Sequence, residues 1–480
     1  MSHVPKGENM LGVTEKLARL AIETEFRSLP PDVVESAKLR ILDTMAVMVA
    51  GSRHPSTRIS LAVVDHLGGK PHASIVGQAL RTSAPQAAFV NGVAAHAYEY
   101  CDFSPRAYTH ISAVVAPGAL PVAEEVGANG RDLVTAFVCG FEVGARVGRG
   151  MAPHLFNQGW HPNAITGAMG VSAAAASLLR LDLQATRMAF GLAASQGSGL
   201  RKNVGSMGKA FHHGHGARCG VFAALLAQHG FQVDPDIVEG VDTGKGHERF
   251  GLVDTFCGIG NYDLQRMIES LGEDWELGGN RTVVRLHPTS TPAQSPIDAM
   301  LDLARRHRLQ ADAVAGIELE VTRECLTIAC YPDAPNSHRA KFCLRYMMAV
   351  ALIDKVAGIA QFTDARVQRD DVQALMQKVT VTVPLDFERH RGTWGENGSS
   401  WGETRLRVTL NDGTTVSTAR SYARGYPQDP ATWDDVKAKF LECAGGILDE
   451  ATSAEVIDMV RNLESVPDVR RLTAALTRVI

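Results

Sequence analysis

No CxxC pair, HExxH segment, GxxxxGK[ST] phosphate loop or strand-following GxGxxG occurs anywhere in the 480 residues. The first two absences remove the usual frameworks of zinc and disulfide sites; the last two remove the backbone cradles of nucleotides and nicotinamide cofactors. The eight cysteines (101, 139, 219, 257, 325, 330, 343 and 443) are scattered, so most read as buried thiols. His212-His213-x-His215 lacks the carboxylates a metal site usually adds, and no metal is expected. Charge of either sign is also not in excess. A net charge of -4 and a pI near 6.5 give no global attraction to nucleic acid or anionic membrane, which leaves small molecules and other protein chains as partners. No apolar run is long enough to span a bilayer, and MSHVPKGENMLGVTEK lacks the apolar core of a signal peptide, so a cytoplasmic protein is expected. With 45% hydrophobic and 21% charged residues the composition is that of an ordinary globular protein with room for two to three domains.

What is present concentrates between Gly159 and Gly220. The runs SAAAAS (Ser172–Ser177) and GLAAS (Gly191–Ser195) combine high helix propensity with little bulk, which suits helices that approach closely inside a core. Between and after them come His161, in the turn Gly159-Trp160-His161-Pro162, and a cationic group of Arg201, Lys202, Lys209, His212 and His213. A helix from Lys209 to Gly220 puts Lys209, His212, His213 and Gly216 at i, i+3, i+4 and i+7, on one face.

In chain order, apolar spacing predicts helices over Leu11–Leu29, from Pro31 to about Gly51 with Asp43 embedded, over Ala84–Tyr100, Val114–Val126 and Leu133–Val147. Glu142 and Arg146 on the last of these read as an i,i+4 ion pair at the helix surface or between helices. The segment from Glu99 to Ser112, with its carboxylates, tyrosines, arginine and histidine between apolar helices, reads as a functional loop. After about Asn280 the pattern turns α+β: Ile317–Val321, Val379–Val383 and Thr404–Leu410 are β-branched, Asn411-Asp412-Gly413 signals a hairpin, and Ala340–Ile359 is one long apolar helix. The expected architecture is a mainly helical domain (1–280), an inserted α+β domain (281–424) and C-terminal helices (425–480) that return to the first.

The stretches LPPDVVESAKLRILDTMAVMVAG (29–51), FVNGVAAHAYEY (89–100), HISAVVAPGALPVAEEVG (110–127), LVTAFVCGFEVGARVG (133–148), WHPNAITGAMGVSAAAA (160–176), LAASQGSGL (192–200), KAFHHGHGARCGVFAALLA (209–227), RAKFCLRY (339–346) and DGTT with GYPQDP (412–430) occur in one order and nearly end to end. Together they resemble the MmgE/PrpD family of 2-methylcitrate dehydratase, cis-aconitate decarboxylase and iminodisuccinate epimerase. The resemblance implies a helical domain with a smaller α+β lid, a homodimer, no cofactor and a small carboxylate substrate. It also implies catalytic roles for His110, His161, Lys209 and His212, with Glu99 or Asp102 standing in for the family's aspartates. The other departure is Arg285-Leu-His287-Pro288-Thr-Ser290, where the decarboxylase and dehydratase branch carries a lysine and a histidine. Tyr331 occupies the region of a family tyrosine.

Proton movement at a carbon beside a carboxylate needs cations, a base near neutrality and an acid. Arg285, Arg201, Lys202 and Lys209 are the candidate cations and His110, His161 and His212 the candidate acid–base groups, with Glu99, Asp102, Ser290 and Tyr331 as further substrate-binding positions. Dehydration or decarboxylation of a di- or tricarboxylate is the first reading. Epimerisation of a substituted succinate is the second, since serine in place of histidine removes a leaving-group acid. A binding protein that has lost catalysis is the third.

Overall fold

A computed structural model describes residues 12–239, 250–387 and 401–480. The start of the first expected helix, at Leu11, lies outside them. The chain packs as two compact units: Met1–Ala97, Arg106–Gly279 and Ala444–Ile480 form the first, and Tyr98–Pro105 with Asn280–Cys443 the second. The second unit ends at Cys443, and seven residues of the expected functional loop, Glu99–Pro105, belong to it.

Unit 1 is helical: α1 (Val13–Glu23), α2 (Pro31–Gly51), α3 (Pro55–Leu67), α4 (Ala84–His96), α5 (Ser112–Val126), α6 (Gly130–Met151), α7 (His154–Asn157), α8 (Asn163–Leu179), α9 (Leu183–Ser195) and α10 (Met207–Gln228). Two-residue strands β1 (Ala73–Ser74) and β2 (Arg81–Thr82) pair between α3 and α4. Pro31 stands at the start of α2, where its missing N–H has no helical partner to lose. Helix α10 packs against α4, α5, α8 and α9 and is buried on most sides, as its small residues allow. A Cβ on Gly214 would meet the Phe89 carbonyl oxygen at 2.4 Å, and one on Gly92 would meet the Gly214 Cα at 2.7 Å. Helices α4 and α10 therefore cross main chain to main chain, which only glycine permits.

The i,i+4 pair on α6 is internal. Arg146 Nε lies 2.7 Å from Glu142 Oε1 with both side chains at most 1% exposed, and Glu142 Oε2 accepts the Glu276 N–H at 2.7 Å. Burial pushes the Glu142 carboxyl up to about 7, with Arg146 opposing. None of the eight cysteines forms a disulfide, and seven of them are buried.

Unit 2 carries a four-stranded sheet in the order β4-β3-β5-β6, formed by β3 (Val314–Val321), β4 (Val379–Thr382), β5 (Thr404–Leu410) and β6 (Thr415–Arg420). Strands β3 and β4 are parallel and the other pairs antiparallel. The Asn411-Asp412-Gly413 turn joins β5 to β6 with Gly413 at φ 86°. Ile317, Leu319, Leu406 and Val408 bury one face among residues of helices Gln294–Arg306 and Leu344–Asp354. The expected helix over Ala340–Ile359 is broken: Ser337–Ala340 and Leu344–Asp354 are separate, because Lys341–Cys343 leaves the helix and the Lys341 carbonyl accepts the Thr289 hydroxyl at 2.5 Å.

Candidate functional site

The face foreseen on α10 exists. Ser206 caps the helix, accepting the Gly208 N–H at 3.2 Å, and Lys209, His212 and His213 follow in its first two turns, all buried. His213 Nδ1 donates to the Lys209 carbonyl at 3.1 Å, which leaves the lone pair on Nε2; among the described residues that buried nitrogen has no hydrogen-bond partner. His96, the last residue of α4, stacks on it with ring centroids 3.6 Å apart and planes 12° apart. The close α4–α10 crossing permits this contact. His110, just ahead of α5, lies 4.7 Å from His96 and 5.8 Å from His213 between centroids.

The turn that carries His161 is held by the Trp160–Leu200 bridge and by the His161 N–H, which donates to the Gly199 carbonyl at 3.0 Å. Gly199 has φ 115°, which favours glycine, and a Cβ there would stand a tight 3.3 Å from the His212 ring. The ring of His161 then sits 2.9 Å from His212, Nδ1 to Nδ1, and 2.8 Å from the Asn163 amide through Nε2. Asn163 Oδ1 accepts the His110 N–H at 2.6 Å and the Thr109 hydroxyl at 2.7 Å.

Electrostatics follow from burial and like charge. The His212 imidazole is pushed down to about 4, first by burial and then by His215 and Lys209. His213 lies well below its ordinary range for the same first reason, reinforced by His96, His161 and His110. His215 is lowered by burial, against its bond to the Gln196 carbonyl. His212, His213 and His215 are thus held neutral at pH 7 on the helix that carries the buried Lys209, and a nearby anion shifts them toward imidazolium.

The other foreseen residues divide. In unit 1, the Arg201 guanidinium lies 4.2 Å over the Phe156 ring and donates to the Phe156 carbonyl at 3.0 Å, while Lys202 is exposed. In unit 2, Arg285 is 1% exposed and directs its donors inward: Nε to the Cys101 carbonyl at 2.5 Å, Nη1 to the Thr289 carbonyl at 2.8 Å and to Glu99 at 3.4 Å, and Nη2 to Cys101 Sγ at 3.2 Å. This guanidinium, expected to clamp substrate, staples Tyr98–Pro105 to the rest of its unit. Asp102 is buried in the same segment, and Glu99 takes a left-handed φ of 57°. His287 packs structurally, with Nδ1 3.0 Å from the Ala357 carbonyl and Nε2 3.0 Å from Asp298. The buried Ser290 hydroxyl has no hydrogen-bond partner among the described residues, and Tyr331 is half-buried under the Arg339 guanidinium, 4.9 Å away.

Three residues bearing on these sites were not foreseen: His96, Asn163 and Lys341. Lys341 is 3% exposed, its ammonium 5.1 Å over the Tyr98 ring. It also helps burial to hold His338 below its ordinary range. A lone lysine within the apolar run AKFCLRYMMAV was the available signal.

Residues 15–249 match the MmgE/PrpD N-terminal domain and residues 287–465 the MmgE/PrpD C-terminal domain. The chain is 26% identical to a cis-aconitate decarboxylase of Aspergillus terreus over 486 residues, covering 97% of this chain and 96% of the relative. It is 28% identical to the cis-aconitate decarboxylase-like protein oryM of Aspergillus oryzae over 489 residues, 97% of each chain. It is 25% identical to the human cis-aconitate decarboxylase over 482 residues, 97% of this chain and 94% of that one. Among the described residues no helix is long and apolar enough to cross a membrane.

Proposed function

We propose, from the premise that this chain belongs to the MmgE/PrpD family, that it is a lyase acting on a small unsaturated di- or tricarboxylate, with loss of carbon dioxide as its reaction. The observation that carries the reading is the buried cluster of His96, His110, His161, His212 and His213 beside Lys209. The names of the relatives favour decarboxylation over epimerisation.

In a cis-aconitate-like substrate the bond from a CH2 group to its carboxylate breaks. The electron pair moves through the double bond to the carbon beside another carboxylate, and a proton adds there. Such a step needs cations for the remaining carboxylates and one acid, and no oxidant. Lys209 supplies a fixed charge in a water-poor site, where a preorganised cation acts most strongly. An imidazole of the cluster supplies the proton once the bound anion has charged it; a neutral neighbour then recovers it from solvent.

Lys209→Met is the test, because it keeps much of the stem and lets the fold survive. Turnover, followed by proton NMR on a panel of polycarboxylates in deuterated water, is expected to fall about 30- to 1000-fold, the equivalent of ~2–4 kcal/mol. A variant within about threefold of the parent makes Lys209 a packing residue and removes its role.

A further inference from the structure

Asn163 opens α8 with no exposed surface to speak of, 1% of its maximum, and uses both ends of its amide. Its oxygen is identified by its partners: the His110 backbone N–H can only donate, and it lies 2.6 Å away, so Oδ1 faces it and the Thr109 hydroxyl at 2.7 Å. Its NH2 group must then face His161 Nε2 at 2.8 Å. A nitrogen that receives an N–H carries a lone pair, so the proton of a neutral His161 is on Nδ1. That proton points at His212 Nδ1, 2.9 Å away, which must accept it, so the proton of His212 is on Nε2.

We infer that Asn163 is a positioning residue that sets the direction of this chain, holding His161 as the Nδ1–H tautomer and His212 as the Nε2–H tautomer. In this arrangement both nitrogens of His161 are occupied inside the protein. The nitrogen of the pair left to face a ligand is His212 Nε2, so His161 serves as the inner member and not as the group that meets substrate. Asn163 also ties the His110 loop to the His161 ring through one side chain, so that the two histidines move as a unit. The inference rests on the acid–base reading of the cluster only for its kinetic consequence; the tautomers are a property of the free protein.

Titratable groups among the described residues around the pair include His96 on α4, His110 ahead of α5, and Lys209, His213 and His215 on α10. None of them lies between Asn163 and His161. Asn163→Asp keeps the shape and the acceptor for His110 and Thr109, but turns the donor at His161 Nε2 into an acceptor. It therefore demands a proton on Nε2 and favours imidazolium.

Two measurements decide the matter. Selective 15N-histidine labelling of the full-length protein, with His161→Gln and His212→Gln to assign signals, is expected to show His161 protonated on Nδ1 and His212 on Nε2. Asn163→Asp is expected to move the His161 proton to Nε2 or to add a second one. In the same variant kcat on the active polycarboxylate is expected to fall at least about tenfold, with KM little changed and the acid limb of the kcat profile displaced upward by about 1–3 pH units. An Nε2–H tautomer of His161 in the parent overturns the inference, even if Asn163→Asp fails to fold. So does a folded Asn163→Asp protein with the parent's tautomers and pH profile, since a purely structural asparagine would lower stability without moving either. If no polycarboxylate is turned over, the lyase proposal falls while the labelling result still decides the tautomers.

Discussion

Binding of a polyanion should draw protons into the cluster, and the size of the uptake follows from the geometry. His212 sits at about 4 in the free protein, so at pH 7 only about one molecule in a thousand carries its proton. A carboxylate arriving ~4 Å from the ring contributes about 4 kcal/mol at an effective dielectric of ~20, close to a thousandfold in the protonation equilibrium. His212 then becomes roughly half protonated at pH 7, its Nδ1 giving up the bond it accepts from His161 to hold the second proton, and the complex takes up about half a proton from this ring alone. Because the ring is buried, moderate salt changes the effect little. Isothermal titration of an unreactive saturated tricarboxylate, in buffers of differing ionisation enthalpy, reads the uptake as the slope of heat against buffer enthalpy. The expected slope is near half a proton at pH 7, rises toward pH 6 and is lost in His212→Gln. A zero slope from pH 6 to 7.5 for a ligand that binds would show that the carboxylates lie far from these imidazoles, and the account of how the acid is charged would fail.

Three further outcomes follow from the same structure. His212, His213, His215 and His338 are all lowered in the folded state, chiefly by burial, so the unfolded chain takes up their protons first; stability is intact above about pH 6.5 and falls as pH drops below it, and an unchanged urea midpoint between pH 7.5 and 5.5 would contradict this. Gly214→Ala places a methyl 2.4 Å from the Phe89 carbonyl oxygen and should cost about 1–3 kcal/mol, seen as a thermal midpoint lowered by several degrees; an unchanged midpoint would mean that α4 and α10 part freely. Lys341→Met should lower the thermal midpoint by a few degrees, because it takes a buried ammonium off the face of the Tyr98 ring, and an unchanged midpoint would mean that this contact adds nothing to stability.

Sequence periodicity located the decisive helix because its message is local: four residues at i, i+3, i+4 and i+7 must share a face once α10 forms. It failed where a distant partner decides. The Ala84–Tyr100 pattern runs on in helical rhythm, yet α4 stops at His96 because Phe103 pairs with Val283 and the Cys101 carbonyl binds Arg285, 184 residues away. A guanidinium aimed at substrate and one aimed at a carbonyl look alike as letters, so spacing alone could not show that Arg285 donates to the Cys101 and Thr289 carbonyls. Spacing alone reads Glu142 and Arg146 as a surface or interhelical pair, whereas α6 is buried nearly all round and both side chains lie inside. Asn163 was invisible because its importance lies in which end of an amide faces which partner, and no spacing rule encodes that.

The Gly92–Gly214 crossing also bears on how such a protein can diversify. Peptide groups, and not interchangeable side chains, fix the distance between α4 and α10, so the gauge of the imidazole stack is independent of the side chains that line its surroundings. On the proposed lyase reading, mutational drift in the lining can then change which carboxylic acid is accepted while the imidazole rings keep their spacing. A library that varies the lining but spares these two glycines should yield altered acceptance far more often than collapse. One that varies the glycines should yield mostly unfolded chains.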